Sequence, residues 1–206
     1  MTARILPMFP LGSVVFPYTI VPLRVFEPRY LTLLADLDRR EDLTFGSVLI
    51  ERGSEVGGGD QRFDVGTEVG LLSVEERPEG DRLILVAGRR RIRVLEWLPD
   101  DPYPLARVTG LPDVPGEVGD RPGAVRSRLT RVMALASEMG ADTSGIRLDV
   151  VDDPVAASYQ LSALAPLTPL DAYRLLTSPG PVDRLDRLVE LLDGQIELLR
   201  ATLESQ

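Results

Sequence analysis

The chain changes its hydrophobic rhythm near residue 112. Before that point, short β-branched and aromatic runs are cut by Gly and Pro, as in strands; after it, apolar residues recur every three or four positions, as in helices. In the first half, Arg4–Phe9, Val21–Phe26, Phe45–Glu51, Thr67–Glu75, Leu83–Ala87, Arg91–Leu98 and Tyr103–Thr109 read as strands. Gly12 and Pro17 mark turns, and Glu79-Gly80-Asp81 reads as a hairpin turn. Pro28 suits the first position of a short helix whose apolar face is Tyr30, Leu33, Leu34 and Leu37. The run Gly53–Asp60 reads as a flexible loop, and its glycines, Gly57 to Gly59, are too few to cradle a phosphate. Short strands around one small helix predict a compact, strongly bent sheet or barrel.

In the second half, Pro122 opens a helix with a stripe of Val125, Leu129, Val132, Ala136 and Met139. Asp153-Pro154 caps the next helix, which runs to about Ala165. Thr168-Pro169-Leu170-Asp171 has the form of a capping box. The last helix starts near Pro181 and carries Leu185, Leu188, Leu192, Ile196, Leu199 and Leu203 on one face, which must pack, most simply on the other helices. Between the halves, Leu111–Asp120 is rich in Pro, Gly and acids and reads as a linker. At roughly 150 residues per domain, 206 residues allow one domain or two small ones. The expected division is 1–113 and 114–206, an α+β chain with strands first and helices second.

Composition narrows the chemistry. The chain has no His and no Cys, all 23 basic residues are Arg, and there is no Asn. Without these side chains there is no thiol or imidazole catalysis, no Ser-His-Asp triad, no Ser-Lys dyad, no P-loop lysine and no ordinary zinc site. Carboxylate chemistry, oxygen-ligated Mg²⁺ or Ca²⁺, and non-covalent binding remain. The carboxylates Asp100, Asp101, Asp149, Asp152 and Asp153 are the candidates for that chemistry, but neighbouring acids in loops and caps are usually structural. No enzyme activity, cofactor or metal is expected. A net charge of −9 disfavours non-specific nucleic-acid binding. No apolar run approaches the roughly 20 residues of a membrane span, and the start, with Pro7 and Pro10, lacks the apolar core of a signal peptide. A soluble cytoplasmic protein is the expectation.

One ordered series of motifs is distinctive. It runs Leu6-Pro-Met-Phe-Pro-Leu-Gly12, Val15-Phe16-Pro17, then Pro22-Leu-Arg-Val-Phe-Glu-Pro-Arg-Tyr30. Phe45-Gly-Ser-Val-Leu49, Val65-Gly-Thr67, Gly88-Arg-Arg-Arg-Ile-Arg-Val94, Pro102-Tyr103 and Ala106-Arg-Val108 follow in order, then Ala163-Leu-Ala-Pro-Leu167 and Arg184-Leu185. The series resembles the N-terminal, substrate-binding domain of the ATP-dependent protease Lon, and most closely its stand-alone bacterial members. The resemblance implies a PUA-like β-barrel followed by an α-helical bundle. It also implies a role in selecting polypeptide substrates, with ATP and peptide-bond hydrolysis belonging to other domains.

Candidate contact residues follow. The apolar segment Val14–Ile20 could form an exposed patch or groove edge, which puts Phe16, Tyr18 and Ile20 forward for polypeptide binding. The signature Phe26-Glu27-Pro28-Arg29-Tyr30 reads as structural: Pro28 starts the helix, Phe26 and Tyr30 pack, and Glu27 and Arg29 make local charged hydrogen bonds. Strand alternation would put Arg89, Arg91 and Arg93 on one face, with Arg90, Ile92 and Val94 on the other. That row is the alternative, RNA-binding surface, although a solvated face paired with nearby acids is the plainer reading. Trp97 reads as packing rather than a base-stacking platform. The expected function is a non-catalytic module that binds unfolded or exposed polypeptide segments, or a specific protein partner. Nucleic-acid and membrane partners are not expected.

Overall fold

The structure, a computed structural model, describes residues 2–39, 42–52, 61–145 and 147–205. The loop expected over Gly53–Asp60 lies outside the described residues. The chain divides into two compact units, Met1–Pro112 and Asp113–Gln206.

The first unit holds β1 (Arg4–Leu11), β2 (Ile20–Val25), α1 (Pro28–Leu37), β3 (Thr44–Arg52), β4 (Gln61–Glu76), β5 (Arg82–Leu98) and β6 (Leu105–Gly110). They form one mixed sheet in the order β2-β5-β4-β3-β1-β6. Strand β6 also pairs with β5, so β5, β4, β3, β1 and β6 close into a circuit and β2 stands outside it. Strands β1 and β3 are parallel, and a parallel pair needs a crossover, which β2 and α1 supply. The remaining pairs are antiparallel.

Helix α1 starts at Pro28 and buries Tyr30, Leu33, Leu34 and Leu37, the stripe read from the sequence. Glu79-Gly80-Asp81 does turn the chain from β4 to β5, with Gly80 at φ +85, the left-handed region that glycine enters without cost. The expected break between Leu83–Ala87 and Arg91–Leu98 does not exist. Gly88 lies within one continuous strand, and the register slips beside it, pairing Val69 with Gly88 and Glu68 with Arg90. The extra residue, Arg89, makes a β-bulge rather than a turn.

Two apolar clusters lie on opposite faces of β1. Phe9 and Leu11 join Tyr30, Leu33, Leu34 and Leu37 of α1 with Phe45, Val69, Ile84 and Val86. The Phe9 ring lies 4.1 Å from Tyr30 and 6.1 Å from Phe45, centroid to centroid. Leu6 and Met8 join Val48, Ile92, Val94, Ala106 and Val108, with Trp97 against them, to fill the circuit.

The second unit holds α2 (Arg121–Glu138), α3 (Pro154–Leu164), α4 (Pro169–Leu176) and α5 (Pro181–Glu204). Asp153 caps α3 by accepting from Ala156 N at 2.8 Å, and Thr168 caps α4 by accepting from Asp171 N at 3.2 Å. Helices α2 and α5 run side by side, joined by Arg121–Asp186 at 2.6 Å and Arg128–Asp193 at 2.8 Å. Both partners advance by seven residues from one bridge to the next, so the two helices are parallel and in heptad register. Between them lie Val125, Leu129, Val132 and Leu135 against Leu185, Leu188, Leu192 and Ile196. Leu135 takes the place expected of Ala136, and Met139 is exposed, because α2 ends at Glu138 before its stripe returns inward.

A buried charge organises this unit. The Arg184 side chain has no solvent exposure. Its Nη2 donates to Asp113 Oδ1 at 2.6 Å, Nη1 to Ser158 Oγ at 2.7 Å, and Nε to the Leu175 carbonyl at 3.1 Å. Its guanidinium lies 3.6 Å from the centre of the Tyr159 ring, whose hydroxyl donates to the same Asp113 carboxylate at 2.9 Å. Asp113 and Val114, expected as linker, are therefore fixed within the unit, where Val114 N also donates to the Pro179 carbonyl at 2.9 Å.

Removing one member of such a group leaves a charge buried without compensation. Asp113→Ala is expected to cost about 3 kcal/mol or more of the second unit's stability. Asp113→Ala combined with Arg184→Met is expected to cost less than Asp113→Ala alone. Urea denaturation followed by far-ultraviolet circular dichroism reads both, and additive losses in the double variant would contradict the buried-pair account.

Candidate functional site

The loop between β1 and β2 is laid onto the sheet by close backbone contacts. Thr67 Oγ1 donates to the Val15 carbonyl at 2.6 Å. A Cβ at Gly88 would stand 2.0 Å from the Phe16 carbonyl oxygen, and one at Gly66 would stand 2.1 Å from the Ser47 carbonyl oxygen. Only glycine admits these approaches. Tyr18 N donates to the Gly88 carbonyl, and Gly88 N donates to the Thr19 carbonyl, at 2.8 and 2.9 Å. Thr19 Oγ1 closes the turn on the Phe16 carbonyl at 2.7 Å. The motifs Val65-Gly-Thr67 and Gly88-Arg-Arg thus hold the loop that leads into β2.

That loop presents one side of the apolar segment and hides the other. Phe16, expected as a contact residue, is 4% exposed and belongs to the core. Tyr18 is 50% exposed and Ile20 66% exposed. Tyr18 has φ +60, a left-handed conformation that a bulky aromatic residue seldom adopts. The Gly88 bonds hold it there. Ile20 pairs with Ala87, and Pro22 with Leu85, so these side chains share a face. Ile20, Pro22 and Leu85 are exposed, and with Tyr18 they make an apolar shelf.

Strand β2 is also the free end of the sheet order. The bond from Gly88 N to Thr19 O turns the main-chain groups of Thr19 toward β5, so those of Ile20, Pro22 and Arg24 turn to the open edge. Pro22 has no N–H to offer there, and Arg24 adds a charge, two devices that discourage strand addition. The side chains, rather than the main chain, are what this edge offers a neighbour.

A second feature lies on β1, β4 and β5. Glu68 is 3% exposed and takes Arg4 Nη2 and Arg90 Nε, the latter at 2.8 Å. Arg4 Nη1 reaches Asp42 at 3.2 Å, and Arg89 lies 3.7 Å from the same carboxylate. Burial alone pushes the Glu68 carboxyl up, but the hydrogen bonds and positive charge of Arg4 and Arg90 outweigh it and hold it below the usual carboxylate range. Sequence reasoning missed Arg4 and Glu68. The available signal was an acid inside the strand run Val65–Val69, with no turn residue to bring it to the surface.

The remaining candidates separate. Arg89 and Arg93 are exposed, but Arg91 is 3% exposed and donates to the Pro112 carbonyl at 3.1 Å. The expected row of three exposed arginines is broken by the bulge at Arg89 and by the chain leaving β6, which covers Arg91. In the helix signature, Tyr30 is buried and Arg29 bonds Glu27 at 3.1 Å while lying 4.5 Å from the Tyr30 ring centre. Phe26 departs from expectation: it is exposed, because β2 ends at Val25 and the chain turns into α1 with that side chain outward. Trp97 packs against the circuit's apolar filling, with Arg62 4.6 Å from its ring centre and bonded to Asp100 at 3.1 Å. Asp153 is the cap of α3, and among the described residues no group of three acids could hold a metal ion.

Comparison with known proteins gives a consistent result. The family model described as ATP-dependent protease La (LON) substrate-binding domain matches residues 5–194. The chain is 25% identical over 207 residues to a Lon protease of Cytophaga hutchinsonii, covering 97% of this chain and 25% of that protein. It is 28% identical to Lon protease 2 of Sorangium cellulosum, over 96% of this chain and 26% of that protein. It thus spans about a quarter of the length of these curated relatives. Among solved structures, the Lon N-terminal domain protein of Xanthomonas campestris superposes with a TM-score of 0.69 at 28% identity, covering 91% of this chain and 98% of that one. The N-terminal domain of the Mycobacterium avium complex Lon protease shares the fold, with a TM-score of 0.64 at 17% identity over 92% of this chain and 98% of that one.

Two outcomes follow from the geometry. Tyr18→Gly is expected to melt at or above the parent temperature, since glycine escapes a left-handed penalty of about 1 kcal/mol. Gly88→Ala is expected to lose about 3 kcal/mol or more through its clash with the Phe16 backbone; thermal denaturation checks both. The depressed Glu68 carboxyl contributes stability above its unfolded pKa, and that contribution fades as pH falls through the folded value. Glu68→Gln should therefore cost stability at neutral pH and progressively less in acid. An equal loss at pH 7 and pH 3 would be inconsistent with that linkage.

Proposed function

The chain belongs to the family of the ATP-dependent protease La (Lon) substrate-binding domain, and from that premise we propose that it is a non-catalytic module that binds unfolded or extended polypeptide segments. We read the closed circuit of strands as the PUA-like barrel of that family, and the four helices of the second unit as its bundle. The shelf of Tyr18, Ile20, Pro22 and Leu85 is the contact surface. The observation that carries this reading is Tyr18: an aromatic side chain is held outward in a left-handed conformation, against its own preference, by a loop bonded to the sheet. Strain kept in an exposed aromatic residue fits a contact role better than a packing role.

The chemistry agrees with binding rather than turnover. With no Lys, the chain can build neither a Ser-Lys dyad nor a P-loop. Affinity would come from apolar burial on the shelf, which tolerates many sequences and suits a surface that must accept varied chains. The arginine strand supports RNA binding less well, since Arg91 is buried and Arg89 and Arg90 each face an acid. No described helix is long and apolar enough to cross a membrane.

The test is a titration against a fluorescent, permanently unfolded polypeptide, with a folded control of equal length and a single-stranded RNA alongside. The unfolded chain is expected to bind with little salt dependence. Tyr18→Ser with Ile20→Ser is expected to weaken it by about tenfold or more, the worth of one or two buried apolar side chains. RNA binding that collapses with salt, with no binding of the unfolded polypeptide, would reject this assignment.

A further inference from the structure

The closed circuit of strands has an open mouth with its own chemistry. Arg4, Leu6 and Met8 recur at every second position of β1, as do Arg90, Ile92 and Val94 on β5, and Ala106, Val108 and Gly110 on β6. Alternation places each set on one face, and their apolar members are the filling of the circuit. Beside that filling, Arg4, Glu68 and Arg90 rim a cavity of about 210 Å³, closed at its inner end by the buried Ile92 and Val108 and bordered by Thr2 and Gly110. A concave opening with a few convergent polar groups, at the mouth of a closed sheet, is a usual setting of a ligand site.

The rim is charged in a selective way. Glu68 is consumed by its two arginines and braces them. Arg4 is held on both terminal nitrogens, by Glu68 and Asp42. Among the described residues, Arg90 bonds through Nε alone, and its side chain is more than half exposed, which leaves Nη1 and Nη2 for a ligand. Two parallel N–H donors of a guanidinium match the two oxygens of a carboxylate. The volume admits one or two residues of a chain, not a folded surface.

We propose that this mouth is a subsite for the carboxyl terminus of a polypeptide. The terminal carboxylate sits on the fork of Arg90, and the last residue enters the cavity that Arg90 rims. The inference rests on the polypeptide-binding reading and deepens it, adding an end-specific contact to the sequence-tolerant shelf. A free aliphatic amino acid offers the same carboxylate and side chain, so the test must separate the two sources.

The experiment uses an N-terminally labelled ten-residue peptide ending in Leu, as the free acid and as the C-terminal amide, read by fluorescence anisotropy. The full chain, Arg90→Gln and Tyr18→Ser are compared, with free leucine as competitor. The free acid is expected to bind the parent about tenfold more tightly than the amide, the worth of a charged hydrogen-bond pair. Arg90→Gln should close that gap, Arg90→Lys should close it in part, and Tyr18→Ser should leave the ratio unchanged. Free leucine should fail to compete at peptide concentrations. Equal binding of acid and amide, a gap that survives Arg90→Gln, or displacement by equimolar leucine would each overturn the proposal. If the unfolded polypeptide still binds through the shelf in that case, only this inference falls. If neither polypeptide nor peptide binds, both readings fall.

Discussion

The first unit depends on a backbone resting directly on another backbone at Gly88. Strand β5 passes beneath the loop between β1 and β2 so closely that no side chain fits between them. That approach sets the two Gly88 bonds, which start the pairing of β2 with β5 and fix which residues of β2 face outward. A shift of one residue would exchange Ile20 and Pro22 for Val21 and Leu23 on the outer face. The position of the apolar shelf is therefore a consequence of the glycine placed at Gly88 on β5, not of the shelf residues themselves. It also explains why Tyr18 tolerates its conformation: the bonds on either side of it are supplied by a strand that cannot move without disturbing the sheet.

Arginine takes the roles that lysine and histidine share in most proteins. Arg184 and Arg4 use their forks to meet several acceptors at once. Arg184 satisfies a carboxylate, a hydroxyl and a carbonyl while lying on an aromatic face. A lysine ammonium could not reach that arrangement from one position, because its three donors radiate from a single atom. Arg91 and Arg4 work similarly, tying the end of β6 and the start of β1 to their surroundings. Much of the positive charge among the described residues is thus internal or paired, while the terminal nitrogens of Arg90 carry no bond among those residues.

Much of the fold was legible because its signals are local. Proline at first helical turns, apolar stripes, and the turn at Gly80 placed α1, α3, α4, α5 and most strand centres within a few residues. The failures share one cause, which is that tertiary contact overrode local pattern. Gly88 looks like a break between strands, but its role is to admit a neighbouring backbone. Asp113 sits in a stretch with the composition of a linker, but its carboxylate is claimed by Arg184, 71 residues on. Arg91 looks exposed by alternation, but a segment from another strand lies over it. Phe16 and Tyr18 are two residues apart, and alternation would put them on one face; the left-handed turn at Tyr18 sends one inward and the other out. Within Val14–Ile20, the exposure of Tyr18 and Ile20 agrees with their place in the sequence pattern, and the burial of Phe16 does not. Arg4 and Glu68 were not legible, since their pairing depends on the circuit closing.

In the proposed function, the two surfaces of the first unit serve different parts of one task. The shelf is apolar, open and bordered by an edge that Pro22 keeps from pairing, so it can hold a chain without adopting it as a strand. A surface of that kind discriminates poorly between sequences, because apolar burial depends on area more than on direction. The mouth of the circuit is small, charged and directional, and directional charge is what confers selectivity. Its brace is also the reason it can persist. Glu68 lies between Arg4 and Arg90 and offsets their mutual repulsion, and their hydrogen bonds and charge outweigh the burial that opposes its ionisation. The three charges brace one another, so the exposed end of Arg90 is held by groups that no ligand needs to touch.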